Sequence, residues 1–142
     1  MSLGHAPKRT VRFILFGGEE QGLLGSTAYA KAHAVDMSKI NAVLVTDTGG
    51  ETAKGWYLMG RSDEKSALAN VEPVLSGLGS DGTSDDVEFI FETDHAGFDI
   101  QGVPSLVLWT DTTKYFTLHH KASDTFDTVS YTHLTLPTKR IV

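Results

Sequence analysis

Two short apolar runs constrain this chain more than any other feature, because each stops beside a carboxylate and a Gly-Gly pair. Residues 11–16 (VRFILF) give way to Gly17-Gly18 and then Glu19-Glu20; residues 40–46 (INAVLVT) give way to Asp47, with Gly49-Gly50 just behind it. Apolar runs of this length, bounded by turn residues, predict buried strands. Glycine relaxes the steric limits on φ, so the chain can turn directly after a strand and leave a charged side chain at its end. Residues 104–109 (PSLVLW) predict a third, fully apolar strand, residues 56–59 a short one and residues 87–91 an alternating one.

Helical patterns fill the intervals. After a loop at 19–22, Leu24, Ala28 and Ala32 fall four apart on one face of a helix over 23–33, and Asp36 and Ser38 break the pattern. Between 62 and 78, Leu68, Val71, Leu75 and Leu78 form one amphipathic stripe, opened by Ser62-Asp63-Glu64 as a capping region and bent at Pro73. A loop follows at 77–84. Strands and helices that alternate in this way predict an α/β fold, a three-layer sandwich with a largely parallel mixed sheet, whose functional residues lie beyond the C-terminal ends of the strands.

Composition narrows the class. At 142 residues the chain suits one domain, and with 40% apolar and 21% charged residues it is neither disordered nor able to supply an 18-residue membrane span. A net charge of −6 disfavours nucleic acid and anionic membrane as partners. With no cysteine, thiol catalysis and Cys-ligated zinc are excluded, so any metal must rest on His, Asp and Glu. Residues 1–10 contain no apolar core of a secretory signal. Residues 130–142 (SYTHLTLPTKRIV) carry no acid and end basic. They are expected to form a non-native or disordered tail outside a unit at 1–129, a frayed terminus being the plainer alternative.

Four clusters can carry chemistry. Adjacent Glu19 and Glu20 can raise each other's pKa or be held by a cation, one ligating while the other accepts a proton; a solvated acidic turn is the bland alternative. Asp47 ends its run in the same way, as a site residue or as an Asx turn. His119-His120 can supply imidazole ligands, with Asp124, four residues after His120, orienting the ring, or can lie on the surface. Asp94 is a candidate site carboxylate or the N-cap of a short helix before Gly102. His33, at a helix C-terminus, is accounted for by the dipole. Neither a Walker loop nor HExxH is present, and a nucleotide reading has no support.

With these residues in view, the chain resembles the co-catalytic zinc exopeptidases, the family of bacterial leucyl aminopeptidases and carboxypeptidase Q. The likeness runs over residues 7–129. Its sharpest element is FGGEEQGLLGS at 16–26, similar to the family's xxEExGLxGS segment; VTDTGG at 45–50, GVP at 102–104 and HHKASDT at 119–125 follow in the family's order. YLMGRSDEKSA and KYFTLHHKASDT look most like the carboxypeptidase Q branch.

The resemblance implies roles residue by residue. Glu19 matches the general base, Glu20 a zinc ligand, Asp47 a ligand to the other zinc, and His120 the terminal imidazole ligand. His120 is preferred to His119 because the family's ligand stands four residues before the Asp of its DT pair. Asp94 matches a carboxylate near the site that is not a ligand. The implied activity is zinc-dependent hydrolysis of terminal peptide bonds in small peptides, with two ions and an extracytoplasmic location. The family's upstream HxD and DDxxxG segments, which supply two of five protein ligands, are absent from this sequence, so the chain by itself is expected to be an inactive fragment. A non-catalytic domain on the same scaffold is the rival reading, and single-zinc glutaminyl cyclase chemistry a weaker third.

Overall fold

The computed structural model describes residues 7–48, 51–59, 61–85 and 92–128. Its backbone is a four-stranded mixed sheet with short helices between the strands. The order along the chain is α1 (Leu24–Ala32), β1 (Val43–Val45), β2 (Ala53–Tyr57), α2 (Asp63–Leu68), α3 (Glu72–Gly77), β3 (Gly82–Ser84), α4 (Ala96–Asp99), β4 (Ser105–Thr110) and α5 (Tyr115–Leu118). Across the sheet the order is β1-β4-β2-β3. β4 runs parallel to β1, with Leu44 opposite Leu106, and antiparallel to β2, with Trp56 opposite Leu108; β2 and β3 are parallel. The expected α/β class with a mixed, mostly parallel sheet is therefore the observed one.

β4 is the interior strand whose apolar run was plainest in the sequence. Hydrogen-bonded on both edges, it buries Ser105, Leu106, Val107 and Thr110, the continuous burial expected of a strand covered on both faces. Its neighbour β2 approaches β3 so closely that a Cβ at Gly55 would lie 2.3 Å from the Gly82 carbonyl oxygen. Only glycine fits there.

Beside the sheet, Ala30, Met37, Phe98 and Val103 form a buried cluster, with Phe16, Tyr29, Ile40 and Val43 packed against it. The rings of Phe16, Tyr29 and Phe98 lie 5.8–6.1 Å apart pairwise, a spacing at which offset and edge contacts add to burial. This cluster clamps α1 to α4.

Several sequence expectations change at this level. Residues 11–16 form no strand: Phe13 is 93% and Leu15 101% exposed, and only Phe16 reaches the core. An apolar pattern says what a segment can bury, whereas a strand also needs a neighbour for its backbone hydrogen bonds, and no described strand lies alongside. The strand expected over 40–46 shortens to β1, an edge strand with Leu44 61% exposed. On α1 the buried residues are Ser26 and Ala30, so the Leu24, Ala28, Ala32 face looks outward.

The single bent helix over 62–78 is two helices. Pro73 sits in the first turn of α3, where its missing N–H costs nothing. The expected cap at Ser62 makes no side-chain bond; instead Asp63 accepts two 3.0 Å bonds from Arg61, and Glu64 is buried with Arg61 Nε 3.5 Å from its Oε1. Part of the loop expected at 77–84 is β3. The strand expected at 87–91 and the tail at 130–142 lie outside the described residues.

Two predictions follow from this packing. Phe98→Ala should cost about 3–5 kcal/mol, as truncation of a buried aromatic does, while Leu15→Ala stays within about 0.5 kcal/mol; urea titrations of the two variants check the contrast. Burial raises the pKa of Glu64 and of Asp99, against the lowering influence of Arg61. A carboxyl whose folded pKa exceeds its unfolded one favours folding while protonated, and that contribution is lost as the pH rises through the folded value. Glu64→Gln should therefore raise the melting temperature at pH 7 by a few degrees, the response of a domain this size to about 1 kcal/mol. The difference should shrink as the pH falls through about 4 and be lost near pH ~3, where Glu64 is protonated in both states.

Candidate active site

Parallel pairing carries β1 and β4 out of the sheet at the same edge, and the chain is pinned there. Thr48 Oγ1 donates to the Leu108 carbonyl at 3.1 Å, and Thr110 Oγ1 donates to the Thr48 carbonyl at 3.1 Å. Asp47 is thereby held at the mouth of β1, and the segment after β4, with α5 and the two histidines, begins beside it.

The glutamates reach the same edge from the other direction. The Glu19 carbonyl accepts bonds from the Gly22 and Leu23 N–H groups at 2.9 and 2.8 Å, and Gly25 N donates to the Gly17 carbonyl at 3.0 Å. This tight turn feeds α1 through Leu23, a non-glycine residue at φ 58°. A Cβ at Gly25 would stand 2.6 Å from the Gly17 oxygen, which is the physical reason for glycine in the GLLGS segment.

Across one hundred positions of sequence, His120 Nε2 lies 2.7 Å from Glu20 Oε1, with the two side chains 59% and 60% exposed. Glu19 lies in the same field: its pKa is raised by burial first and then by Asp47, Glu20 and Asp94, with His120 opposing. Tyr115 is likewise raised by burial and then by Asp47, Glu20 and Glu19. Five of the six expected residues therefore share one electrostatic neighbourhood.

Asp124 stands apart. It is exposed, and the described contacts of the His120 ring do not include it. Asp94 is not the helix cap either: His95 occupies that position and makes no capping bond through its side chain, and Asp94 Oδ1 is buried with no hydrogen-bond partner among the described residues.

Among the described residues no group of three or more His, Asp or Glu is close enough to hold a metal ion. The Glu20–His120 pair nonetheless has the right donor chemistry. Two ligands of a tetrahedral zinc with bonds of about 2.0–2.1 Å stand roughly 3.3 Å apart, so opening the 2.7 Å contact by about 0.6 Å would admit one. Nearby carboxylates that raise the pKa of Glu19 also mark a place where a cation would be stabilised.

Tyr115 and His119 are the neighbours that sequence reasoning passed over or set aside. Their rings stack 4.5 Å apart, and His119 stacks on His120 at 3.7 Å. The spacing of Tyr115 and His119, four apart at a helix end, was the available signal.

His119 (φ −49°, ψ 122°) and His120 (φ 55°) are the central residues of a turn closed by Lys121 N donating to the Leu118 carbonyl at 3.0 Å. These are the dihedrals of a type II turn, whose third position favours glycine or asparagine. A histidine held there carries backbone strain of about 1–2 kcal/mol.

His120→Asn should therefore leave stability within about 1 kcal/mol, since the easier backbone offsets the loss of the exposed Glu20 contact and of the His119 stack. His120→Val, β-branched at positive φ, should lose about 1–2 kcal/mol. Equal losses in both variants, read by thermal denaturation, would show that the imidazole holds the turn.

Comparisons with known proteins agree with this fold. Residues 2–141 match the model of Peptidase family M28. Carboxypeptidase Q from Xenopus laevis is 33% identical over 123 residues and that from Rattus norvegicus 36% over 128, each alignment covering 87% of this chain. The chain spans about a quarter of the length of these relatives, 26% and 25%. A solved Peptidase M28 precursor from Shewanella amazonensis superposes with TM-score 0.79 at 29% identity, over 91% of this chain and 29% of that one. An aminopeptidase from Aneurinibacillus shares the fold at TM-score 0.60 and 23% identity, covering 84% of this chain and 28% of its own.

Proposed function

This chain belongs to Peptidase family M28, and we propose that it carries part of the catalytic centre of a zinc-dependent metallo-exopeptidase. The substrate class is small peptides cut at a terminal bond, as a carboxypeptidase Q-like dipeptidase or an aminopeptidase. The observation that carries this reading is the 2.7 Å approach of His120 to Glu20 beside Glu19. An imidazole and a carboxylate that meet from opposite ends of the chain, next to a second carboxylate of raised pKa, suit a metal-assisted hydrolase.

In this reading Glu20 and His120 hold one zinc, and Asp47 contributes to a second. Zinc, when bound, polarises the scissile carbonyl and acidifies the attacking water. Glu19 takes the water's proton on its carboxylate and delivers it to the leaving amine. Asp94, buried at one oxygen beside Glu19, supports the site without ligating, and Asp124 is assigned to its periphery. Residues 1–129 constitute the partial catalytic domain, with 130–142 outside it, and the location is extracytoplasmic. No helix among the described residues is long and apolar enough to cross a membrane.

The lack of a three-ligand group among the described residues favours, as a second reading, a non-catalytic domain on this scaffold. Metal titration separates the two. In a chain extended upstream to include the HxD and DDxxxG segments, Glu19→Gln should retain zinc and lose turnover by about 10²–10⁴-fold, because the amide cannot accept the proton. Glu20→Gln should weaken zinc binding instead. Dipeptide and amino-acid anilide assays beside calorimetry read both effects. Unchanged turnover in Glu19→Gln removes the proposed base, and no zinc uptake by the extended chain leaves the non-catalytic reading standing.

A further inference from the structure

We propose that His119 is a positioning residue: its ring, held flat between Tyr115 and His120, sets the plane in which the His120 imidazole faces Glu20. The inference rests on the reading of His120 as a metal ligand and adds to it the device that orients that ligand.

A ligating imidazole is ordinarily oriented through its second ring nitrogen, by a hydrogen bond to a carboxylate or carbonyl. Asp124, the candidate for that duty, is exposed and outside the described contacts of His120. His120 is also 59% exposed on a turn position that suits glycine, so neither packing nor backbone preference restricts its rotamer. A metal ligand nonetheless has to be held within about 0.5 Å and 10–20° of its working geometry.

The described contacts of the ring are Glu20 at Nε2 and His119 across its face. The His119 and His120 rings lie 3.7 Å apart and 24° from parallel; His119 and Tyr115 lie 4.5 Å apart and 23° from parallel. Adjacent side chains do not ordinarily stack. They do so here because the type II turn reverses the backbone between them. Tyr115 anchors the far side: His119 N donates to its carbonyl at 2.8 Å, and the two residues stand one helical turn apart. The ring is gripped by its face rather than by its edge, so the flat surface of residue 119 matters and its nitrogens do not.

The test compares His119→Phe, which keeps the flat face, with His119→Ala, which removes it, and with Tyr115→Leu, all in this chain. Imidazole proton spectra without metal report ring stacking, and calorimetric titration with Zn²⁺ reports ligand readiness. His119→Phe should keep the upfield ring-current shift of the His120 protons and the affinity of the parent chain. His119→Ala should lose the shift and weaken Zn²⁺ binding by about 10–100-fold, the usual effect of removing an orienting partner. Tyr115→Leu should lower both readouts part of the way.

An unchanged His119→Ala overturns the proposal. So does a His119→Phe as damaging as His119→Ala, since a nitrogen would then be the working group. If circular dichroism shows that His119→Ala does not fold, His119→Phe and Tyr115→Leu decide, and an unaltered His120 shift in Tyr115→Leu counts as overturning. Zn²⁺ binding that survives His120→Ala, or is missing from the parent chain, counts against the metal reading alone; the proton spectra then decide the stack by the same outcomes.

Discussion

Everything at the candidate site depends on the hydrogen bonding of β4 along both of its edges. One edge holds β1 in parallel register and the other holds β2 antiparallel. Parallel strands must leave a sheet at the same end, so Asp47 after β1 and the α5–His120 segment after β4 are delivered to one place. The Thr48–Thr110 bonds extend the pairing past the last ladder position and remove slack between them. An antiparallel β1 would have put Asp47 and His120 at opposite ends of the sheet.

Collecting carboxylates at that edge is electrostatically unfavourable. Burial first, and then the charges of Asp47, Glu20 and Asp94, hold the proton on Glu19 more tightly, and the opposing influence is the His120 imidazole. The arrangement persists because backbone geometry imposes it: the turn at 19–23 is closed by its own hydrogen bonds, and α1 is clamped to α4 through Ala30 and Gly97. Local strain accompanies this crowding. Leu23 and His120, on either side of the glutamates, both hold positive φ, as residues at functional sites often do.

The short helix α4 joins two acidic regions of different character. Asp94, just before it, contributes to the field on Glu19, and Asp99, at its end, lies in the field of Arg61 beside buried Glu64. The first group is open to solvent at Glu20 and His120, while burial dominates the second. Water screens exposed charges and leaves buried ones to set the pH dependence of stability.

Much of this was legible in the residues. β4 was visible because an interior strand covered on both faces must be apolar throughout, and α1 because a loop rich in glycine precedes a helical run. The EE pair, Asp47 and His120 could be singled out by their place after apolar runs and by resemblance to a family. What the sequence determined was which segments can bury themselves and which residues can do chemistry, since both follow from local composition. Only the tertiary structure decided the rest. Residues 11–16 need a neighbouring strand that periodicity cannot supply, the helix expected over 62–78 divides between Leu68 and Glu72, and Glu64 is buried despite its charge. The grip on His120 comes from a turn dihedral and a stack of three rings, and its contact with Glu20 crosses one hundred positions. Such contacts arise from how strands are ordered in a sheet, a long-range property that no local pattern encodes.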